Sequence, residues 1–569
     1  MKKIVILSLL LTWTLSSQDY YYSKYAPFNE SIKTPEEFLG YPIGEMHTRH
    51  DLIVSYMQYL SNISEKAQIF YYGNTYEKRK LLILAISSPE KISNLEEIRD
   101  EHISYIDPDH PNYNNQAKPE DFPVIINLGY GVHGNEPSSS EAALLTAYTL
   151  VSSESDEIKN YLSQSIILLD PTINPDGRDR HTHWANTYKG SPIVADPQDA
   201  EHNEYWPGGR TNHYWFDLNR DWYLGIHPES RGKLKWYHSW QPNVTTDFHE
   251  MGSNSTYFFV PFKPNGSFEP VIPKENYDYF NFLFGSYYAK ALDEIGTLYF
   301  TREVYDRTYP GYGSSYPDYL GGIGILFEQA SSRGHIQETQ FGEITFPFTI
   351  RNQYISGMTT VMASVENKES LKDYQGKFFK SAITEANQKK VKGYIFNLGK
   401  DKNKTKAFID KLKIHNINIL RDGKKFYVPT AQKNYRLVRT FFETQEKYRD
   451  SVFYDASAWS MANIYGIDYS SSNKNFTGDE VNSIDDLFEV NKFPKSNYAY
   501  IIDSQDYNIP AIIYNLLDNE IFTSSAFKPL TIRTSDGIKD FNYGSIIIPL
   551  SIQKKLNSDE LYKKMQKIQ

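Results

Sequence analysis

The chain has 569 residues, of which 40% are hydrophobic and 23% charged, and a formal net charge of −10. That length exceeds one ordinary core, so two or more domains are expected, and the acidic balance argues against nonspecific nucleic-acid binding, which needs a basic surface. Cysteine is absent, which excludes disulfides and a lipoprotein attachment thiol and leaves His, Asp or Glu to hold any metal.

In chain order, "MKKIVILSLLLTWTLSSQ" has two lysines, an apolar run and then small residues. This is the layout of a cleavable signal peptide, here residues 1–17, and predicts a secreted or periplasmic protein. The run is shorter than the roughly 20 residues of a membrane span, and no later stretch is long and apolar enough, so no transmembrane segment is expected after signal removal. "TPEEFLGYPIGEMHTRHDLIVSYMQYLSNIS" has mostly helical periodicity, with Thr34 as its cap. Strands and helices then alternate through "QIFYYGNTY", "RKLLILAISS", "FPVIINLGY", a helix from Ser139, "QSIILLD", "NVTTDFHE" and "GIGILFEQA". Such alternation predicts an α/β domain with a mixed sheet covered by helices. The Pro- and Gly-containing insert between Asn186 and Asn212 reads as an elaborated loop, a frequent carrier of function.

Composition shifts near residue 370, after which lysine and asparagine increase and His415 is the one remaining histidine. "VKGYIFNL", "KTKAFIDKLKIHNI" and "NILRDG" suggest a β-α-β unit, and "YAYIID", "IPAIIYNLLDNEI" and "GSIIIPL" a further one. The expected division is therefore residues 18–368 for the first domain and 369–569 for a smaller α/β region. The chain stops just after "SDELYKKMQKIQ", so the last domain is expected to be incomplete.

Ligands of open α/β sheets bind beyond the carboxyl ends of strands. Four strand ends carry suggestive residues: His133 and Glu136 in "GVHGNEP", the stretch "PTINPDGRDR", His249 in "TTDFHEMG", and Glu328 in "ILFEQ". Two imidazoles and a carboxylate are the ligand set of a catalytic zinc, and a further carboxylate could serve as general base. Each residue alone is weak evidence. An isolated His-x-x-Glu is usually a hydrogen-bonded pair, a histidine on an apolar strand is usually a satisfied core residue, and His181 and His183, two apart, read as loop histidines that could bind metal only from one face of a strand. "HEMGS" lacks the second histidine of the HExxH helix, which disfavours that metalloprotease class.

Taken in order, HGNE (133–136), NPDG (174–177), RTNHYWFDLNR (210–220), DFH (247–249), YPGYGSS (309–315) and FE (327–328) resemble the zinc carboxypeptidase family of carboxypeptidase A-like metallopeptidases. The resemblance covers roughly residues 35 to 365. It implies an α/β/α sandwich around a mixed central sheet, one zinc per chain, and peptide or protein substrates with a free C-terminus. It further implies that His133, Glu136 and His249 hold the zinc and that Asp217 orients His133. Glu328 matches the general base that activates zinc-bound water, and Asn219 and Arg220 match the pair that grips the substrate carboxylate. Arg178, Arg180 and Arg210 compete for the oxyanion-stabilising role, and the spacing before "DLNR" selects Arg210. The mobile tyrosine matches Tyr309, with Tyr312 and Tyr316 as rivals.

The chain departs from the digestive members by its long insert and its C-terminal extension. The latter resembles a class I glutamine amidotransferase-like domain, whose nucleophilic cysteine it lacks, so any such domain is non-catalytic. A secreted metallocarboxypeptidase is the leading expectation. A zinc amidase, deacylase or endopeptidase acting on cell-wall or other amides with the same site stays open, as does an inactive binding module.

Overall fold

Seven strands build the central sheet of the computed structural model: β1 (Ala67–Asn74), β2 (Lys80–Ile86), β3 (Val124–Gly129), β4 (Ser165–Asp170), β5 (Val244–Met251), β6 (Tyr257–Phe259) and β7 (Ile323–Ala330), in the order β1-β2-β4-β3-β5-β7-β6. The four central strands β4, β3, β5 and β7 are parallel, and β1, β2 and β6 join antiparallel. Parallel strands covered on both faces read as continuous apolar runs, as "VIINLG" and "SIILLD" do. The structure describes residues 20–114, 116–264, 269–444, 460–484 and 493–568, so the signal-peptide segment lies outside the described residues.

Alternate side chains of these strands feed two different cores. Ile126, Leu128, Ile167 and Leu169 pack with the helices His50–Ile63, Ser138–Ser152 and Phe346–Glu366. Ile125, Ile166 and Leu168 pack instead with Leu95 and Trp240, from the helices Leu95–Ile106 and Pro228–Trp240 on the opposite face. The result is the expected α/β/α sandwich. The helix Ser138–Ser152 is buried along its whole length, as a helix must be when it is apolar or small-sided all round and lies between sheet and outer helix.

Local signals set the helix ends. Thr34 forms a capping box with Glu37, the Thr34 hydroxyl accepting from the Glu37 backbone amide at 3.2 Å while the Glu37 carboxylate accepts from the Thr34 backbone amide at 2.9 Å. That helix is only Pro35–Leu39, ended by Gly40 at φ 82°, and the second helix starts separately at His50. Asn174 caps Pro175–Tyr188, so His181 and His183 stand on a helix and not on a strand or loop.

The chain divides into two compact units, one taking Met1–Glu385 with Lys433–Thr440 and Thr444–Ala458, the other the remainder. The boundary expected at residue 368 falls at the start of a helix, Lys368–Gln388, most of which belongs to the first unit. In the second unit the strands flanking the helix Lys402–Ile414 are not neighbours. Gly393–Asn397 and Leu420–Asp422 are both antiparallel to Lys425–Pro429, which turns back at Gly423 and inserts between them. Ala499–Ile502 and Ser524–Ser525, on either side of the helix Ile509–Asp518, receive Ile546–Pro549 in the same way. The first expected β-α-β unit is therefore split by an antiparallel strand from later in the chain, whereas the two strands expected of the second, Ala499–Ile502 and Ile546–Pro549, are neighbours but antiparallel. Among the described residues no helix is long and apolar enough to cross a membrane.

Candidate active site

The chain leaves β3 for β4 on one side and then crosses to β5 on the other, so the crevice at the carboxyl ends of β3 and β5 is a topological switch point. Gly131, at φ 64°, turns the chain out of β3, and His133 and Glu136 follow before the helix Ser138–Ser152. A Cβ on Gly134 would lie 2.0 Å from the Gly177 carbonyl carbon. The HGNE and NPDG turns thus touch backbone to backbone, which only glycine permits. His249 stands at the end of β5, and the β5–β7 register sets Glu328 directly beside it.

His133, Glu136 and His249 each offer a ligand atom, all within 4.8 Å of one another. His133 Nδ1 lies 2.8 Å from Glu136 Oε1, His249 Nδ1 lies 3.0 Å from Glu136 Oε2, and the two Nδ1 atoms are 3.1 Å apart. The far nitrogens are held by carboxylates: His133 Nε2 is 2.8 Å from Asp217 Oδ1, and His249 Nε2 is 2.7 Å from Asp247 Oδ1. An acceptor on each Nε2 fixes the proton there and leaves both Nδ1 lone pairs aimed at one point. Three buried donors of the nitrogen and carboxylate type, with ring tautomers already set, suit a zinc ion. Burial by itself would lower both histidines, but the carboxylates outweigh it: Glu136 and Asp217 raise His133, and Asp247 with Glu136 raises His249 well above its ordinary value. Glu136 itself is held well below the carboxylate range by the two imidazoles, against its own burial.

Glu328 is partly exposed, and among the described residues no hydrogen bond or ion pair engages its carboxylate. Burial, reinforced by the charge of Glu136, pushes it up to about 8 despite the opposing pull of His249. Arg210 donates to Glu136 Oε1 at 3.1 Å and to Asp217 Oδ2 at 2.9 Å, with 44% of its side chain exposed toward the crevice. Its rivals are occupied elsewhere. Arg178 is buried on Glu141 at 2.6 Å, the Pro137 carbonyl and the Thr48 carbonyl, and Arg180 donates to the carbonyls of Gly208 and Asn212.

Asn219 is buried. Its amide nitrogen lies 2.8 Å from His249 Nε2 and 3.2 Å from Asp247 Oδ2, and its oxygen accepts from Gly313 N at 2.7 Å. Arg220 stays partly exposed, its guanidinium 4.6 Å from the Tyr312 ring centre. The Tyr309 hydroxyl donates to the Arg220 carbonyl at 2.9 Å, which brings this tyrosine to the same wall. Tyr316 is packed in the interior against Trp222 and bonded to His238 at 2.9 Å. Asp247 escaped the sequence reading as a partner of the site. The signal was present, since residues two apart on a strand share a face, and Asp247 precedes His249 by that spacing.

Residues 53–281 match the model of the zinc carboxypeptidase family. That stretch is similar to zinc carboxypeptidases. The family uses zinc, and the matched segment contains His133, Glu136, Arg210, Asp217, Asn219, Arg220 and His249, ending before Tyr309 and Glu328. Among solved structures, a metallo-carboxypeptidase from Burkholderia cenocepacia is 13% identical, covering 55% of this chain and 68% of that one with a TM-score of 0.38. Carboxypeptidase A from Helicoverpa armigera is 15% identical over 60% of this chain and 77% of that one, with a TM-score of 0.37. A metallo-carboxypeptidase from Pseudomonas aeruginosa, in complex with (2-guanidinoethylmercapto)succinic acid, is 12% identical over 56% and 69%, with a TM-score of 0.35. No curated protein is similar enough to match.

Proposed function

We propose that this zinc carboxypeptidase domain hydrolyses the C-terminal peptide bond of its substrates, with Glu328 as the general base. The observation that carries the reading is the meeting of His133, Glu136 and His249 at one point, with the Glu328 carboxylate beside His249 across the β5–β7 pair. Zinc bound there supplies Lewis-acid polarisation of the scissile carbonyl and acidifies water. Glu328 takes the proton of the attacking water on a carboxylate oxygen and hands it to the leaving nitrogen. The exposed edge of Arg210 faces the developing oxyanion, where a preorganised cation is worth most. Arg220 offers a planar fork to the terminal carboxylate, while Tyr309 closes the wall beside it. Asn219, which donates to Asp247 and accepts from the Gly313 amide, contributes by holding the wall that presents Arg220. The lysine pair and apolar run before residue 18 support export.

Paired peptides with free and amidated C-termini, read by mass spectrometry, test this reading. Release of single residues from the free peptides alone is expected. Equal cleavage of both, or products from internal bonds, would point to an amidase or endopeptidase and leave Arg220 needing another role.

A further inference from the structure

A second group of ligand-type side chains lies outside this site, where the long insert meets the N-terminal segment. His47, Glu201 and His335 each offer a ligand atom, all within 4.8 Å of one another. They come from far apart in sequence: His47 precedes the helix His50–Ile63, Glu201 sits in the one-turn helix Ala200–His202 of the insert, and His335 follows β7. His181, from the helix Pro175–Tyr188, brings a fourth candidate, its ring centre 5.3 Å from that of His47, which is 4.8 Å from that of His335. All four are buried, with exposures of 1% for His47, 2% for His181, 1% for Glu201 and 4% for His335.

Their hydrogen bonding is incomplete in a way that points to a ligand. Both ring nitrogens of His47, the Nε2 atoms of His181 and His335, and Oε2 of Glu201 are buried without a hydrogen-bond partner among the described residues. Native interiors rarely leave such groups unmatched, and several together at one point call for an ion or a trapped water. The Glu201–His335 contact at 2.6 Å would pass for an ordinary ion pair, but it leaves His47 unexplained. One face of the His47 ring is stacked on Phe346 at 4.1 Å, which supplies no polar partner. Glu204 Oε1 stands 3.5 Å from His181 Nδ1, the position of a carboxylate that orients a histidine ligand.

We propose that His47, His181, Glu201 and His335 form a second, buried zinc site whose role is structural. Three imidazoles and a carboxylate complete a closed four-coordinate set, in contrast to the three-donor cluster beside Glu328. It would tie the insert, which runs directly on to Arg210 and Asp217, to the helix Pro175–Tyr188 and to the N-terminal segment.

Metal analysis of the full chain, reconstituted with zinc and freed of excess, tests this. Two zinc ions per chain are expected in the wild type, one in His249→Ala, one in His47→Gln, and none in the double variant. His47→Gln is also expected to unfold at lower temperature and to expose the insert to limited proteolysis. A wild-type count of one with none left in His249→Ala would overturn the proposal, as would an undiminished count in His47→Gln, and buried water would then account for the open nitrogens. If His47→Gln fails to fold, the His249→Ala count decides alone.

Discussion

Replacing Asp217 with asparagine probes the coupling between zinc ligation and substrate polarisation. One carboxylate oxygen sits 2.8 Å from His133 Nε2 and 2.9 Å from the Asn219 amide, while the other is 2.9 Å from Arg210 and 3.8 Å from Arg220. Despite burial, His133 and Arg210 hold this carboxyl well below the usual range, so its charge is present throughout the working pH range. Asparagine keeps the shape but has one oxygen. If that oxygen faces His133, the amide NH2 meets the Arg210 guanidinium as donor against donor. If it faces Arg210, the NH2 meets His133 Nε2 and drives the ring proton onto Nδ1, the nitrogen that the zinc needs. Loss of such an orienting group typically lowers metal affinity about 10- to 100-fold, or about 1.4–2.7 kcal/mol. The upper end is expected here, because Asp217 also fixes Arg210. Competition with a chromophoric chelator at constant pH measures the zinc affinity, and kcat measured at saturating zinc isolates the effect on Arg210. An affinity within twofold of wild type in a folded variant would refute the role.

Glu328→Gln is expected to keep its zinc and its fold while kcat falls by roughly 10²- to 10⁴-fold with little change in KM, since the amide is close in shape yet accepts no proton; near wild-type turnover would remove Glu328 from the base role. Arg220→Ala should reduce the preference for free over amidated peptide C-termini by about 100-fold, through weaker cleavage of the free peptide, as paired kcat/KM values will show. Zinc affinity should fall as pH falls, beginning above the ordinary histidine value because His133 and His249 are both raised. The same two groups give the zinc-free protein stability that is fully present below that ordinary value and is lost as pH rises through their raised ones, so only the zinc-free form should soften toward alkaline pH in thermal scans. Glu141→Ala strands the buried Arg178 guanidinium, now paired at 2.6 Å, and should cost about 3–5 kcal/mol in urea unfolding.

The sequence makes the central strands legible because "VIINLG" and "SIILLD" are buried on both faces, and a continuous branched run has few other meanings. The ligands at their ends were legible only as an ordered set. No local rule indicates that β7 lies beside β5, and so none places Glu328 next to His249. His47 and His335 carried no signal at all, being single histidines in unremarkable loops. His181 did attract notice, but paired with His183. The helix that holds both turns His183 to the surface, and two of the relevant neighbours, His47 and His335, come from more than a hundred positions away. The split strand order of the C-terminal unit was hidden for the same reason, since the inserted strands come from later in the chain than the helices they follow.

One segment serves both metal clusters. The insert after Tyr188 contributes Glu201 to the second cluster, and the chain then runs on through Arg210 to Asp217 and Arg220 beside the first. A loop this long would ordinarily be among the least stable parts of a domain. On the mechanism proposed above, Arg210 and Asp217 must keep their places beside Glu136 and His133 to within a few tenths of an ångström. Hydrogen bonds from Arg180 to the Gly208 and Asn212 carbonyls pin one end of the loop, and a Cβ on Gly209 would come within 2.5 Å of the His181 side chain. The stretch that leads into Arg210 is therefore held from the helix Pro175–Tyr188.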